Sequence, residues 1–173
     1  MDILPTPKEC ITILKENGCS KEVIQHCIAV RDIAVKIAEK TNANINLVEV
    51  GALLHDIGRS KTHGIKHAIE GGKIAKKLGL HENIIKIIES HIGAGLPADE
   101  AKKLGLPKKD FMPITLEEKI VCHADNLVDN CKKQKIEYEV ERALREGHYE
   151  YAKRLVILHK ELSDLCGFDL NKI

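Results

Sequence analysis

His26, His55, Asp56, His91 and Asp125 are the residues whose chemistry fits least well with the apolar company they keep. His26 shares a helical face with Val23, Val30, Ile33 and Ile37, and His91 follows Ile84, Ile87 and Ile88 at helical spacing. Asp125 has Val121, Cys122 and Val128 beside it, and His55-Asp56 lies between Leu53-Leu54 and Ile57-Gly58. A polar group turned into an apolar interior costs about 1–3 kcal/mol unless it is paired. Taken singly, each has a plain explanation. A lone His on an apolar face is more often a hydrogen-bonded core histidine, and an inward Asp is more often a buried cap or an ion-pair partner. Taken together, separate helices each bring an imidazole or a carboxylate to the interior, and one shared divalent metal ion satisfies them all.

The order of these residues is also specific. The run Gly51-Ala52-Leu53-Leu54-His55-Asp56-Ile57-Gly58 resembles the signature segment of the HD superfamily in its HDIG variant. His26 stands upstream where that family has its first histidine, and Ala124-Asp125 is similar to its late aspartate. The resemblance covers about residues 20–130. It implies an all-helical fold, a divalent ion held by His26, His55, Asp56 and Asp125, and hydrolysis of phosphate esters, often of nucleotides. His67-Ala68-Ile69-Glu70-Gly71 and Glu89-Ser90-His91 resemble two further family segments whose histidines hold a second ion, with His63 as an alternative to His67. That pattern is similar to small stand-alone HD hydrolases such as the dinucleoside tetraphosphatase-like group. No Gly-Tyr-Pro triplet marks the chain as an HD-GYP phosphodiesterase.

The chemistry implied is attack on phosphorus by a water activated at one or two divalent ions, with Fe, Mn, Ni, Co, Mg and Zn all compatible. Asp56 is then a catalytic residue as well as a ligand, and Arg59 and Lys61 are candidates for a phosphate clamp. Arg59 stands where many HDIG proteins carry Lys. The expected activity is metal-dependent hydrolysis of a phosphomonoester or phosphoanhydride, with a nucleotide as the expected substrate. Two alternatives stay open: symmetrical cleavage of dinucleoside tetraphosphates, and a metal-binding regulatory module without turnover.

The elements that must position these groups are legible from caps and stops. Thr6-Pro7-Lys8-Glu9 reads as a capping box with Pro at the first helical position, and Gly18 ends that helix. Further helices are expected over about 20–41, 46–58, 65–78 and 82–91. A looser stretch over 93–115 holds one short helix near 99–104 and should border the pocket and set substrate choice. Its only aromatic residue, Phe111, offers no obvious platform for stacking a base. Thr115-Leu116-Glu117-Glu118 is a second capping box, opening a helix expected to carry Ile120, Ala124, Leu127, Val128 and Cys131. Helices over about 136–146 and 149–166 complete an all-α bundle of seven to nine helices, with no strand pattern. His81, His148 and His159 lie outside the motif and read as surface or helix-end residues.

Composition narrows the class of protein. Residues 1–173 fit one domain, a motif core with the helices over 136–166 packed on it. The net charge of +1 gives no global field for nucleic acid or a membrane surface, so an anionic small molecule must meet a local positive site. Six cysteines without a CxxC pair argue against a thiolate zinc site and for a reducing, cytoplasmic setting. The stretch 1–10 does not read as a signal peptide, and no run is apolar enough to span a membrane. Homo-oligomer formation is left open.

Overall fold

The computed structural model describes residues 4–173, so the first three positions of the leader reading lie outside it. Nine α-helices are found among the described residues: α1 Pro7–Glu16, α2 Lys21–Ala38, α3 Ile45–Leu54, α4 His67–Lys77, α5 Glu82–Glu89, α6 Ala98–Lys103, α7 Leu116–Asn126, α8 Ile136–Arg145 and α9 Tyr149–Cys166. This is the all-α bundle expected. None of these helices is long and apolar enough to cross a membrane.

The caps do the local work. Thr6 and Glu9 form the expected capping box on α1, and Ser20, Asn44 and Thr115 accept backbone N–H groups at the starts of α2, α3 and α7. The apolar faces they orient meet in one core. Ile37, Leu53, Leu54, Ile84, Ile87, Ile88, Ile120, Leu127, Leu155 and Leu162 are among its fully buried side chains. α2 lies against α3 and α7, while α5 packs on α3 and α4. Gly51 lets α3 and α5 approach closely, because a Cβ there would sit 2.7 Å from Ile87 Cδ1.

Two expected helix ends are corrected. α3 stops at Leu54 and does not run to Gly58; His55 and Asp56 form a turn into a 3-10 helix, Ile57–Ser60. The backbone must leave the helix there because Gly58 is pressed against the main chain of α4, with no room for even a methyl group. α7 stops at Asn126 and does not reach Cys131, and a two-residue hairpin follows, β1 Val128–Asp129 with β2 Lys132–Lys133. Asn130, at φ 54, makes its turn and aims a carbonyl at His26. These chain breaks serve the site. Phe111 is likewise placed in a small second core with Leu96, Ala101 and Leu106.

Candidate metal centre

Four imidazoles and two carboxylates converge where α2, the turn after α3, α4, the end of α5 and α7 meet. His26 comes from the middle of α2, and His55 and Asp56 come from the turn. His67 opens α4, His91 follows α5, and Asp125 lies in the last turn of α7. His55, Asp56 and His91 are 0%, 2% and 1% exposed, so this is an interior site with an edge at His26 and Asp125.

Every one of the four rings has its Nδ1 on a backbone carbonyl. His26 faces Asn130 O at 2.5 Å, His55 faces Ala52 O at 2.7 Å, His67 faces Gly64 O at 2.8 Å and His91 faces Ile88 O at 2.6 Å. A carbonyl only accepts, so each Nδ1–H donates and each neutral ring keeps its lone pair on Nε2. The four Nε2 atoms then point at one another and at the carboxylates. Nε2 of His67 and Nε2 of His91 are 2.9 Å apart, two lone pairs face to face. His26 Nε2 lies 2.8 Å from Asp125 Oδ1, and His55 Nε2 lies 3.5 Å from the same oxygen.

Asp56 divides its oxygens between the two pairs. Oδ1 is 3.4 Å from His67 Nε2 and 3.2 Å from His91 Nε2; Oδ2 is 3.6 Å from both His26 Nε2 and His55 Nε2. His55 Nε2 and Asp56 Oδ1 are buried without a hydrogen-bond partner. Arrays of lone pairs and anionic oxygens repel unless a cation sits among them, and His with carboxylate is a donor set suited to a divalent metal. Among the described residues, His26-His55-Asp125 and His55-Asp56-His91 are close enough to hold an ion, and His67 lies within 3.4 Å of both Asp56 and His91. The rings are held in direction by these backbone carbonyls in the manner expected of metal-binding histidines.

The charges adjust to this crowding. Burial disfavours a charged His55, yet Asp56 beside it holds the imidazole well above its usual value. Burial alone would raise the two carboxyls. His55, His91 and Arg59 hold Asp56 well below the carboxylate range, and His26 and His55 do the same for Asp125. His67 is pushed down to about 4 by burial and by the neighbouring His91, which keeps its Nε2 lone pair free.

The other expected site residues fall in different places. Arg59 donates from Nε to Asp56 Oδ2 at 2.8 Å and from Nη1 to His63 O at 3.2 Å, so it braces the central carboxylate. Lys61 is exposed at the end of the 3-10 helix and has no ion pair among the described residues. The His63 side chain is exposed, and His67 is the one that meets His91.

Asn126 supports the site, and His123 and His159 form a separate inward pair. Asn126 bonds through Nδ2 to Gly93 O at 2.8 Å, fixing the turn after His91 to the helix that carries Asp125. Its signal is weak, since an Asn at a helix end is common. His123 is fully buried, and its Nε2 meets His159 Nδ1 at 2.8 Å. His159 Nε2 in turn lies 2.8 Å from Asp169 Oδ1. His159 is thus an inward residue of α9, not a surface one. Its position one turn after Leu155, between Leu155 and Leu162, carried that signal.

Comparison with known proteins supplies the family. The family model described as HD domain matches residues 23–129. A tRNA (cytidine(56)-2'-O)-methyltransferase of Thermoplasma volcanium is 44% identical over 99% of this chain, which covers 51% of that protein. An uncharacterized protein of Methanocaldococcus jannaschii is also 44% identical, over 91% of this chain and 97% of its own length. The chain thus spans about half the length of the methyltransferase relatives and nearly all of the other. Among solved structures, the HD domain of the Listeria monocytogenes phosphodiesterase PgpH superposes with a TM-score of 0.58 at 19% identity, covering 91% of this chain and 95% of that one. The same domain in complex with cyclic-di-AMP gives 0.57 at 18% identity, over 92% and 96% of the two chains, and at such identities the likeness is one of fold. With the family model matched over well over half of its length, this chain belongs to the HD domain family.

Proposed function

We propose that the chain is a metal-dependent phosphohydrolase acting on a phosphate ester or anhydride of a nucleotide. The observation that carries this is the set of four histidines with Nδ1–H tied to carbonyls and Nε2 converging on two carboxylates, two of the converging atoms being buried and unpartnered. His26, His55, Asp125 and Asp56 would hold one divalent ion, and His67, His91 and Asp56 a second. When bound, such ions activate water near neutral pH and stabilise charge developing on a phosphoryl oxygen. The protein's own part is orientation and exclusion. Backbone carbonyls fix ring directions, Arg59 fixes Asp56, and burial of His55 and His91 keeps bulk water away from the reacting centre.

The direct test is purified protein with its metals quantified, assayed on a panel of phosphate esters and nucleotides with and without chelator. Hydrolysis that chelation abolishes and divalent ions restore is expected. Metal-free protein with undiminished turnover would end the proposal. A second reading places the phosphate in RNA, favoured by the names that its relatives carry. Besides the methyltransferases, ribonuclease Y of Acidothermus cellulolyticus is 34% identical over 73 residues, 41% of this chain and 15% of that protein. Oligoribonucleotides therefore belong on the same panel.

Two expected outcomes follow from the assignment of ligands. Protein saturated with metal should hold about two ions, and His91→Ala should reduce this to about one while Asp125→Ala removes the other. Inductively coupled plasma mass spectrometry reads this directly; one ion in the wild type would make the centre mononuclear. Arg59→Ala should weaken metal affinity by about 10–100-fold, the range seen when a group supporting a ligand is lost. A pure phosphate clamp would leave metal affinity unchanged and raise KM alone, so a metal titration separates the two roles.

A further inference from the structure

A cavity of about 650 Å³ is lined in part by chain that adjoins the His/Asp cluster in sequence, though by none of the six cluster residues themselves. Its near wall is chain adjoining two of the cluster histidines: Ile65 precedes His67 by two residues, and Ile92 and Gly93 follow His91 directly. Its far wall comes from Arg142 of α8 and from Tyr149, Tyr151 and Arg154 of α9. These four lie beyond the segment 23–129 that matches the family model.

The two walls are joined by specific contacts. Gly93, at φ +59, lies against the ring of Tyr151, and a Cβ there would stand 2.7 Å from Cε2. The Tyr151 hydroxyl donates to Glu139 at 2.7 Å. Arg154 grips Glu100 with both Nη atoms, at 2.9 and 2.7 Å, and ties α9 to α6 across the cavity. The mouth is therefore held open by a fixed frame.

What lines the cavity indicates its ligand. Tyr149, Leu104 and Ile65 are 67%, 50% and 37% exposed, large apolar groups left in water around one opening. Single exposed apolar residues mean little, but three around one cavity mark a binding site. Lys103 is exposed on the same rim and has no ion pair among the described residues. Arg142 and Arg154 are paired with Glu139 and Glu100, and Glu150 also lines the cavity. The flat ring, the aliphatic neighbours and Lys103 are therefore what suit a planar heteroaromatic group attached to an anion. The volume is within the range of small-ligand sites, roughly 300–1,000 Å³.

We propose that this cavity binds the nucleoside end of the substrate, with the base against Tyr149 and the phosphate directed to the His/Asp cluster. The assignment rests on the phosphohydrolase reading above. The aromatic platform that the stretch 93–115 lacks is thus supplied by the start of α9. The nucleoside unit can belong to a free nucleotide or to the end of an RNA chain, since the ring recognises a base in either.

Calorimetric titration of metal-loaded protein tests this with the four ribonucleoside 5′-monophosphates, a short oligoribonucleotide and inorganic phosphate. At least one nucleotide probe should bind tenfold or more tighter than inorganic phosphate. Tyr149→Ala should lose roughly ten- to hundredfold of that affinity, the scale of one base–aromatic stack. Tyr149→Phe, which keeps the ring, should retain it. Because Tyr149 is exposed, both variants should fold, which circular dichroism checks. The tighter of mononucleotide and oligonucleotide identifies the source. Nucleotides binding no better than inorganic phosphate, or Tyr149→Ala binding like wild type, would overturn the assignment. Selective, Tyr149-dependent binding by a protein that hydrolyses no ester would keep it and remove the hydrolase reading instead.

Discussion

Asp56→Ala should strip metal from both halves of the centre and lower phosphohydrolase turnover on the order of a thousandfold, the factor that about 4 kcal/mol of lost charge stabilisation represents. Among the described residues no other carboxylate reaches all four histidines: its oxygens lie 3.2–3.6 Å from the Nε2 atoms of His26, His55, His67 and His91. It also receives Arg59 at 2.8 Å, so its removal leaves that guanidinium without its carboxylate. Helicity should survive, because Asp56 sits in a turn and contributes no apolar packing. Asp56→Asn, which keeps the shape and drops the charge, should lose metal as well. Metal analysis and turnover on the best substrate check both variants, and full occupancy with wild-type rates in either would remove Asp56 from the centre.

Gly58→Ala should cost on the order of 3–5 kcal/mol or prevent folding altogether, although it adds only one methyl group. That carbon would lie 1.7 Å from His67 O and 2.5 Å from Gly71 N, and both are backbone atoms that cannot step aside. The same contact brings the turn carrying His55 and Asp56 against the start of α4, so the substitution should also separate His67 from Asp56. Gly64→Ala is the matched control. Its Cβ would meet only Thr62 Oγ1, at 3.6 Å, and stability should change little. Thermal unfolding of the pair should therefore differ widely; a Gly58→Ala protein melting with wild type would mean the close approach does not exist in solution.

Family, helical class and six candidate ligands were readable in order along the chain because each has a local cause. Capping boxes and Gly stops mark helix ends, and a His or Asp on an apolar stripe is anomalous wherever it occurs. The sequence alone could not choose between His63 and His67, since they lie four residues apart around the start of α4; only the packing of α4 on α5 brings His67 to His91. It also assigned Arg59 to substrate. The 3-10 turn also brings that side chain back onto Asp56, a contact that spacing along the chain did not show and that follows from helix termination at Leu54.

The ends of α3 and α7 were overextended for one reason. Local periodicity favours continuing a helix, whereas the tertiary structure needs His55-Asp56 in a turn and the Asn130 carbonyl behind His26. His123 escaped notice because its partner, His159, lies 36 residues away and is brought near only by packing of α7 on α9. The cavity faced by Tyr149 and Ile65 has the same origin. Sequence determined which side chains could bind a metal and which faces were apolar. Only tertiary packing decided which lone pairs would meet, because distances across the bundle are set by how helices pack and not by spacing along one helix.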